Sequence, residues 1–203
     1  MEGGWLVSYI ALWMVTLLLA AIVLAHSRLL GILHHRFGPA GARQMADGPE
    51  IGSKLEQLFG KQADGQRRSW TFPASSDLIA IFISPQCQTC NALLPHVKDF
   101  ARENERLEVV LVSTLDNPEM NRAYVGYQRL EKLSYIVNQE LADELAIEGT
   151  PYAVYLNEQG IVSAKGLVNN YENLVGLAHS ASNFDRRLAQ TQSHVVFEKE
   201  QAS

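Results

Sequence analysis

Two cysteines, Cys87 and Cys90, are the only thiols in 203 residues, and Gln88 and Thr89 alone separate them. Cys-x-x-Cys at a strand-to-helix junction is the arrangement of a redox dithiol. The run Leu78-Ile79-Ala80-Ile81-Phe82-Ile83 reads as a buried strand, Ser84-Pro85 breaks it, and Asn91 to Phe100 reads as a helix. At a helix N-terminus, unpaired backbone N–H groups and the helix dipole stabilise a thiolate at the first cysteine. The second cysteine, one turn in, is placed to attack a mixed disulfide formed by the first. A purely structural bridge over so short a loop would constrain the unfolded chain little. A zinc site needs further ligands, and there is no second cysteine pair. His34 and His35 are adjacent, so they do not share a helix face and read as surface histidines. No metal and no cofactor are expected.

The elements that must position the pair follow in order. Leu55–Gly60 and Arg67–Phe72 flank a turn at Asp64-Gly65 and read as a hairpin on the domain edge. The strand at about 78–84 and the cysteine helix at about 88–103 come next. Leu107–Ser113 is a near-continuous apolar strand. Asn117 caps a helix with Pro118 at its first position, running to about Leu130. Ser134–Val137 is a short strand and Asn138–Ile147 a short helix. Tyr152–Leu156 and Ile161–Lys165 form a hairpin around Asn157–Gly160, and 170–178 is a closing helix. The expectation is an α/β domain on a mostly parallel sheet covered on both faces. Beyond Ser182 the sequence turns polar, so 183–203 reads as a flexible tail.

The N-terminus differs from the rest. Trp5 to Ala25 carries no charge, and as a helix it would extend roughly 31 Å, the thickness of a bilayer core. The absence of Lys or Arg before it argues against a cleaved signal peptide. The expectation is a single transmembrane anchor at 5–27, after a short N-terminus at 1–4. A linker at 28–48, with stop signals at Gly38-Pro39 and Gly48-Pro49, leads to a domain at 49–182. The formal net charge of −5 gives no reason to expect a nucleic-acid partner. Arg28, Arg36 and Arg43 follow the apolar run, and the positive-inside rule would put the domain in the cytoplasm.

The order of cysteine helix, crossover, Gly149-Thr150-Pro151 and final hairpin resembles the thioredoxin fold. Pro95 matches the proline that kinks the first major helix there. The resemblance implies a cis bond at Thr150-Pro151, facing the cysteines, with the Thr150 backbone turned toward bound substrate. A narrower resemblance is to the MauD family, membrane-anchored thioredoxin-like proteins of methylamine utilization. Arg36-Phe37-Gly38-Pro39-Ala40-Gly41-Ala42, Gly48-Pro49-Glu50 and the string from Ser84 through Pro95 carry it.

The family resemblance implies a thiol–disulfide oxidoreductase or isomerase in the inner membrane, its catalytic domain in the periplasm. That side conflicts with the charge rule. The implied client is a cysteine-rich protein, the small subunit of methylamine dehydrogenase, and a redox partner in the membrane is compatible with the tether. The implied site is Cys87 and Cys90 with Thr150, Pro151, Pro85 and Gln86. Gln88-Thr89 replaces the proline often found between such cysteines, and Gln86 stands where thioredoxins usually carry Trp, so the direction of electron flow and the docking surface are open. Two other readings stand beside this one. One is a thiol reductase for cytochrome c maturation; the other is a non-catalytic thioredoxin-fold binding module.

Overall fold

The structure is a computed structural model that describes residues 3–36 and 48–201, with side chains at 4–5, 9–23 and 48–191. The chain divides into two units, Met1–Pro39 and Ala40–Ser203.

The first unit is helix α1, Gly3–Arg36. Its described side chains are all exposed, and Trp5, Tyr9 and Trp13 line one face, with Trp5 stacked on Tyr9 at 5.6 Å. The anchor expected at 5–27 is corrected here. Among the described residues, no helix is long and apolar enough to cross a membrane. The transmembrane part of the expected fold class, the membrane-anchored function and the single-pass inner-membrane topology rested on that anchor and are withdrawn with it, and so is the periplasmic side that the family resemblance implied for an anchored domain. The linker motif at Phe37–Ala42, Arg43 and the side chains of Arg28, His34, His35 and Arg36 lie outside the described residues.

The second unit is a seven-stranded sheet with helices on its faces. Its elements are β1 Gln57–Lys61, β2 Arg67–Thr71, β3 Leu78–Ile83, α2 Gln88–Glu103, β4 Glu108–Ser113, α3 Pro118–Gln128, β5 Ser134–Val137, α4 Gln139–Glu144, β6 Tyr152–Leu156, β7 Val162–Leu167 and α5 Tyr171–Gln201. Strand order is β2-β1-β5-β4-β3-β6-β7. Only β3–β4 and β4–β5 are parallel; the other pairings are antiparallel. The sheet is therefore mixed, where the sequence reading expects it mostly parallel. The hairpins β1–β2 and β6–β7 must be antiparallel because a tight turn joins their strands, and each hairpin also meets the parallel centre antiparallel, through β1–β5 and β3–β6.

All six residues of β3 are buried, since both faces are covered. Ile79, Ile81 and Ile83 face a core shared with α2, α3 and α5 through Leu93, Val97, Tyr124 and Leu174. Leu78, Ala80 and Phe82 face the opposite core, with Leu58, Leu141 and Ala142. This two-sided burial is why β3 reads as an unbroken apolar run. The β6–β7 turn depends on Gly160, at φ +79°, where a Cβ would collide with the Leu55 carbonyl oxygen and the Phe72 side chain.

Most of the stretch expected as a flexible tail after Ser182 is helical. Helix α5 continues to Gln201, and Asp185 accepts hydrogen bonds from Ser163 Oγ at 2.6 Å and Asn157 Nδ2 at 2.9 Å. Phe184 and Leu188 are half-buried at helical spacing from buried Ala181, so a short apolar stripe continues beside Asp185.

Candidate functional site

Strand β3 delivers the chain to the site, and a tight turn redirects it. The Cys87 N–H donates to the Ser84 carbonyl at 3.0 Å, and the Gln86 N–H to Ser84 Oγ at 3.4 Å. Thr114, just past β4, donates its N–H to the Ile83 carbonyl at 2.9 Å and fixes the end of β3. Cys87 is the N-cap of α2, in extended conformation, with its side chain accepting from Cys90 N–H. That distance is 3.1 Å. A sulfur thus occupies the place that a Ser or Asp oxygen takes in an ordinary cap.

Cys87 and Cys90 are disulfide-bonded, with Cα atoms 5.2 Å apart. Cys90 is fully buried, whereas Cys87 is half-buried and Gln86, Gln88 and Thr89 are exposed. Only one sulfur of the pair is therefore presented to a partner. The anchoring of α2 explains the asymmetry: Leu93, Leu94, Val97 and Phe100 are buried on the face that carries Cys90. Each contributes about 1.5–3 kcal/mol by burial. Pro95 lies inside α2 on its exposed side, where its missing N–H does not disturb the core face.

The Thr150–Pro151 bond is cis. The Thr150 carbonyl oxygen lies 3.6 Å from Cys87 Sγ, and the Pro151 carbonyl accepts from Val168 N–H at 3.1 Å. Thr150 is half-buried and Pro151 buried. The structure thus brings together Cys87, Cys90, Thr150 and Pro151 from segments 63 residues apart, with Pro85 and Gln86 in the turn entering the helix. A second cis bond, Phe72–Pro73, has no counterpart in the sequence reading.

Sequence reasoning also missed a polar support behind the site. Tyr124 OH donates to Asn91 Oδ1 at 2.7 Å, one residue past Cys90. Tyr135 OH donates to Asn121 Oδ1 at 2.6 Å. Burial pushes the Tyr124 phenol up to about 12, with a smaller contribution from Tyr135. Tyr135 is likewise pushed up to about 12 by burial, partly offset by a hydrogen bond from Ser113. The available signal was the tyrosine and asparagine placed on the apolar face of an amphipathic helix. Among the described residues, no cluster of three or more His, Cys, Asp or Glu side chains could hold a metal ion. A cleft of about 640 Å³ lies at the opposite end of β3, lined by Asp77, Arg102, Leu107 and Tyr155, and shares no residue with the cysteine site.

A disulfide-forming pair, one sulfur accessible and the other buried beneath a helix N-terminus, performs thiol–disulfide exchange. No protein-family model matches the chain. It is 31% identical to the methylamine utilization protein MauD of Paracoccus denitrificans, over 97% of this chain and 96% of that protein. It is 32% identical to the MauD of Methylophilus methylotrophus, over 87% and 83%. Among solved structures it resembles the thioredoxin domain of a thiol-disulfide oxidoreductase from Bacteroides vulgatus, with TM-score 0.53, 16% identity, and coverage of 62% of this chain and 95% of that one. A thiol:disulfide interchange protein from a Bacteroides species gives TM-score 0.53 at 18% identity, covering 63% and 88%. These likenesses establish the fold as thioredoxin-like.

Proposed function

The chain belongs to the MauD family of methylamine utilization proteins, and from that premise we propose that it exchanges disulfides with a cysteine-rich client, the small subunit of methylamine dehydrogenase. The observation that carries the chemistry is the unequal exposure of Cys87 and Cys90 at the start of α2.

In this reading the Cys87 thiolate attacks one sulfur of a client disulfide. The client S–S bond breaks, a Cys87–client disulfide forms, and the other client sulfur leaves as a thiolate. The Cys90 thiolate then attacks the Cys87 sulfur, leaving the Cys87–Cys90 disulfide and a second client thiolate. Two electrons pass from the pair to the client; run backwards, the same steps insert a disulfide. When the first client thiolate instead attacks a second client disulfide, a new client bond forms and a third client thiolate is freed; that thiolate attacks the client sulfur of the mixed disulfide, so Cys87 leaves as a thiolate and the client is rearranged. A client with several disulfides needs that rearrangement, because wrong pairs must be reopened. Thr150, through its backbone beside Cys87 Sγ, would pair with an extended client segment. Pro151 shapes that loop, and Pro85 and Gln86 form the rim a client meets first.

The test is deletion of the gene in a cell that makes methylamine dehydrogenase, with the small subunit quantified beside a c-type cytochrome. The expected result is an unstable small subunit and normal cytochrome. Normal small subunit with missing cytochrome would replace the proposal with the cytochrome-maturation reading.

A further inference from the structure

Breaking the Cys87–Cys90 bond removes the covalent link between the Cys87 sulfur and the first turn of α2. After that, the aim of the Cys90 N–H at the sulfur depends on what else holds the turn. Two contacts at Asn91 do so. Its N–H donates to the Cys87 carbonyl at 3.1 Å, and its Oδ1 accepts from Tyr124 OH at 2.7 Å. The second reaches outside the helix, to α3.

That anchor is itself held on several sides. Tyr124 is 7% exposed, so its ring has little room to move, and it packs 6.3 Å from the Tyr135 ring. Tyr135 OH donates to Asn121 Oδ1, and Asn121 Nδ2 donates to the Leu115 and Asn117 carbonyls at 2.7 and 2.8 Å. Lys98 Nζ donates to the Gln128 carbonyl at the end of α3, at 2.5 Å. Helix α3 is thereby fixed to α2 at two heights, and its interior is tied to β5 and the loop after β4. A buried network so fully paired behaves as one rigid unit.

We propose that Tyr124 is a positioning residue for the redox pair: by holding Asn91 it keeps the Cys90 N–H directed at the Cys87 sulfur and so stabilises the Cys87 thiolate in the reduced protein. A hydrogen bond from an amide to a charged sulfur is stronger than one to a neutral thiol, so its alignment favours the thiolate selectively. This inference rests on Cys87 being the attacking thiol of the proposed function.

The experiment compares full-length wild-type protein, Tyr124→Phe, Asn91→Ala and the double variant. After reduction, the rate of iodoacetamide alkylation at Cys87 is measured at a pH below that of ordinary thiol titration, with the modified peptide located by mass spectrometry. The dithiol–disulfide equilibrium against glutathione is measured in parallel. Each single variant should alkylate about threefold more slowly, the size of half a pKa unit, and shift the equilibrium about threefold toward the disulfide. The double variant should match the single ones, because both remove the same contact. Unchanged alkylation and equilibrium in correctly folded variants, with only a lowered Tm, would reduce Tyr124 to a packing role and overturn the inference. Additive effects in the double variant would overturn it as well. Wild-type Cys87 reacting no faster than an ordinary free thiol would instead undercut the proposed function itself.

Discussion

Cys87 Sγ lies 3.6 Å from the carbonyl oxygen of Thr150, although 63 residues separate the two. The sheet makes this meeting unavoidable. Strands β3 and β6 are antiparallel neighbours with Phe82 opposite Tyr152, so the end of one and the start of the other lie side by side. A reactive sulfur and the Thr150 backbone therefore share one surface.

The first prediction concerns which sulfur is captured. Cys87 is half-buried and Cys90 fully buried, so a client disulfide reaches only the first. Cys90→Ala should accumulate a mixed disulfide with a multi-disulfide protein, seen as a shifted band on a non-reducing gel. Cys87→Ala should give none. Equal trapping by Cys87→Ala would reverse the assignment.

The second prediction uses the β6–β7 turn. Alanine at position 160 would have to adopt φ +79° and push against the Leu55 carbonyl and the Phe72 side chain. The left-handed conformation alone costs about 1–2 kcal/mol, and the collision adds to it. Gly160→Ala should therefore lower the unfolding free energy by ~2 kcal/mol or more in urea titration, with an unchanged unfolding free energy as the contrary result.

What was legible in the sequence follows from its physics. Strand β3 and helix α2 could be placed because a two-sided apolar run and a cysteine pair each have few alternative uses. The edge hairpin showed through its Asp64-Gly65 turn. Parallel and antiparallel neighbours could not be told apart from burial patterns, and the sheet came out more antiparallel than expected. The continuation of α5 was missed because its apolar stripe beyond Ala181 is reduced to the half-buried Phe184 and Leu188, while Asp185 docks by hydrogen bonds. Asn91 and Tyr124 were invisible as partners, since 33 residues separate them, Asn91 fills an unspecified position of the cysteine motif and Tyr124 belongs to none.

The third prediction follows from Asp185. Its carboxylate accepts from Ser163 and Asn157, and Asn157 Oδ1 accepts in turn from the Gln159 and Ile161 N–H groups of the β6–β7 turn. Asp185→Ala leaves two partly buried donors without this partner, at a cost of about 1–2 kcal/mol. Truncation after Ser182 should cost at least as much. A truncated chain as stable as the full one in chemical denaturation would show that α5 beyond Ser182 adds nothing to the fold.

The last prediction is a pH dependence with a defined sign. Tyr124 and Tyr135 are each pushed from 10.0 up to about 12, by burial first. A phenol is neutral when protonated, so burial favours its protonated form, and the folded state holds the proton more tightly than the unfolded one. The resulting stabilisation is fully present below pH 10 and is lost as pH rises through about 12. The wild-type protein should thus lose stability steeply between these values, as its unfolded tyrosines ionise before its folded ones. Tyr124→Phe/Tyr135→Phe removes both phenols and should show a shallower decline over the same window. The comparison between the two proteins cancels the contribution of lysines that titrate in that range. Unfolding free energies measured in urea from pH 8 to 11.5, with tyrosinate absorbance followed in the native state, test this directly. Parallel curves for the two proteins would mean that neither buried phenol is linked to folding.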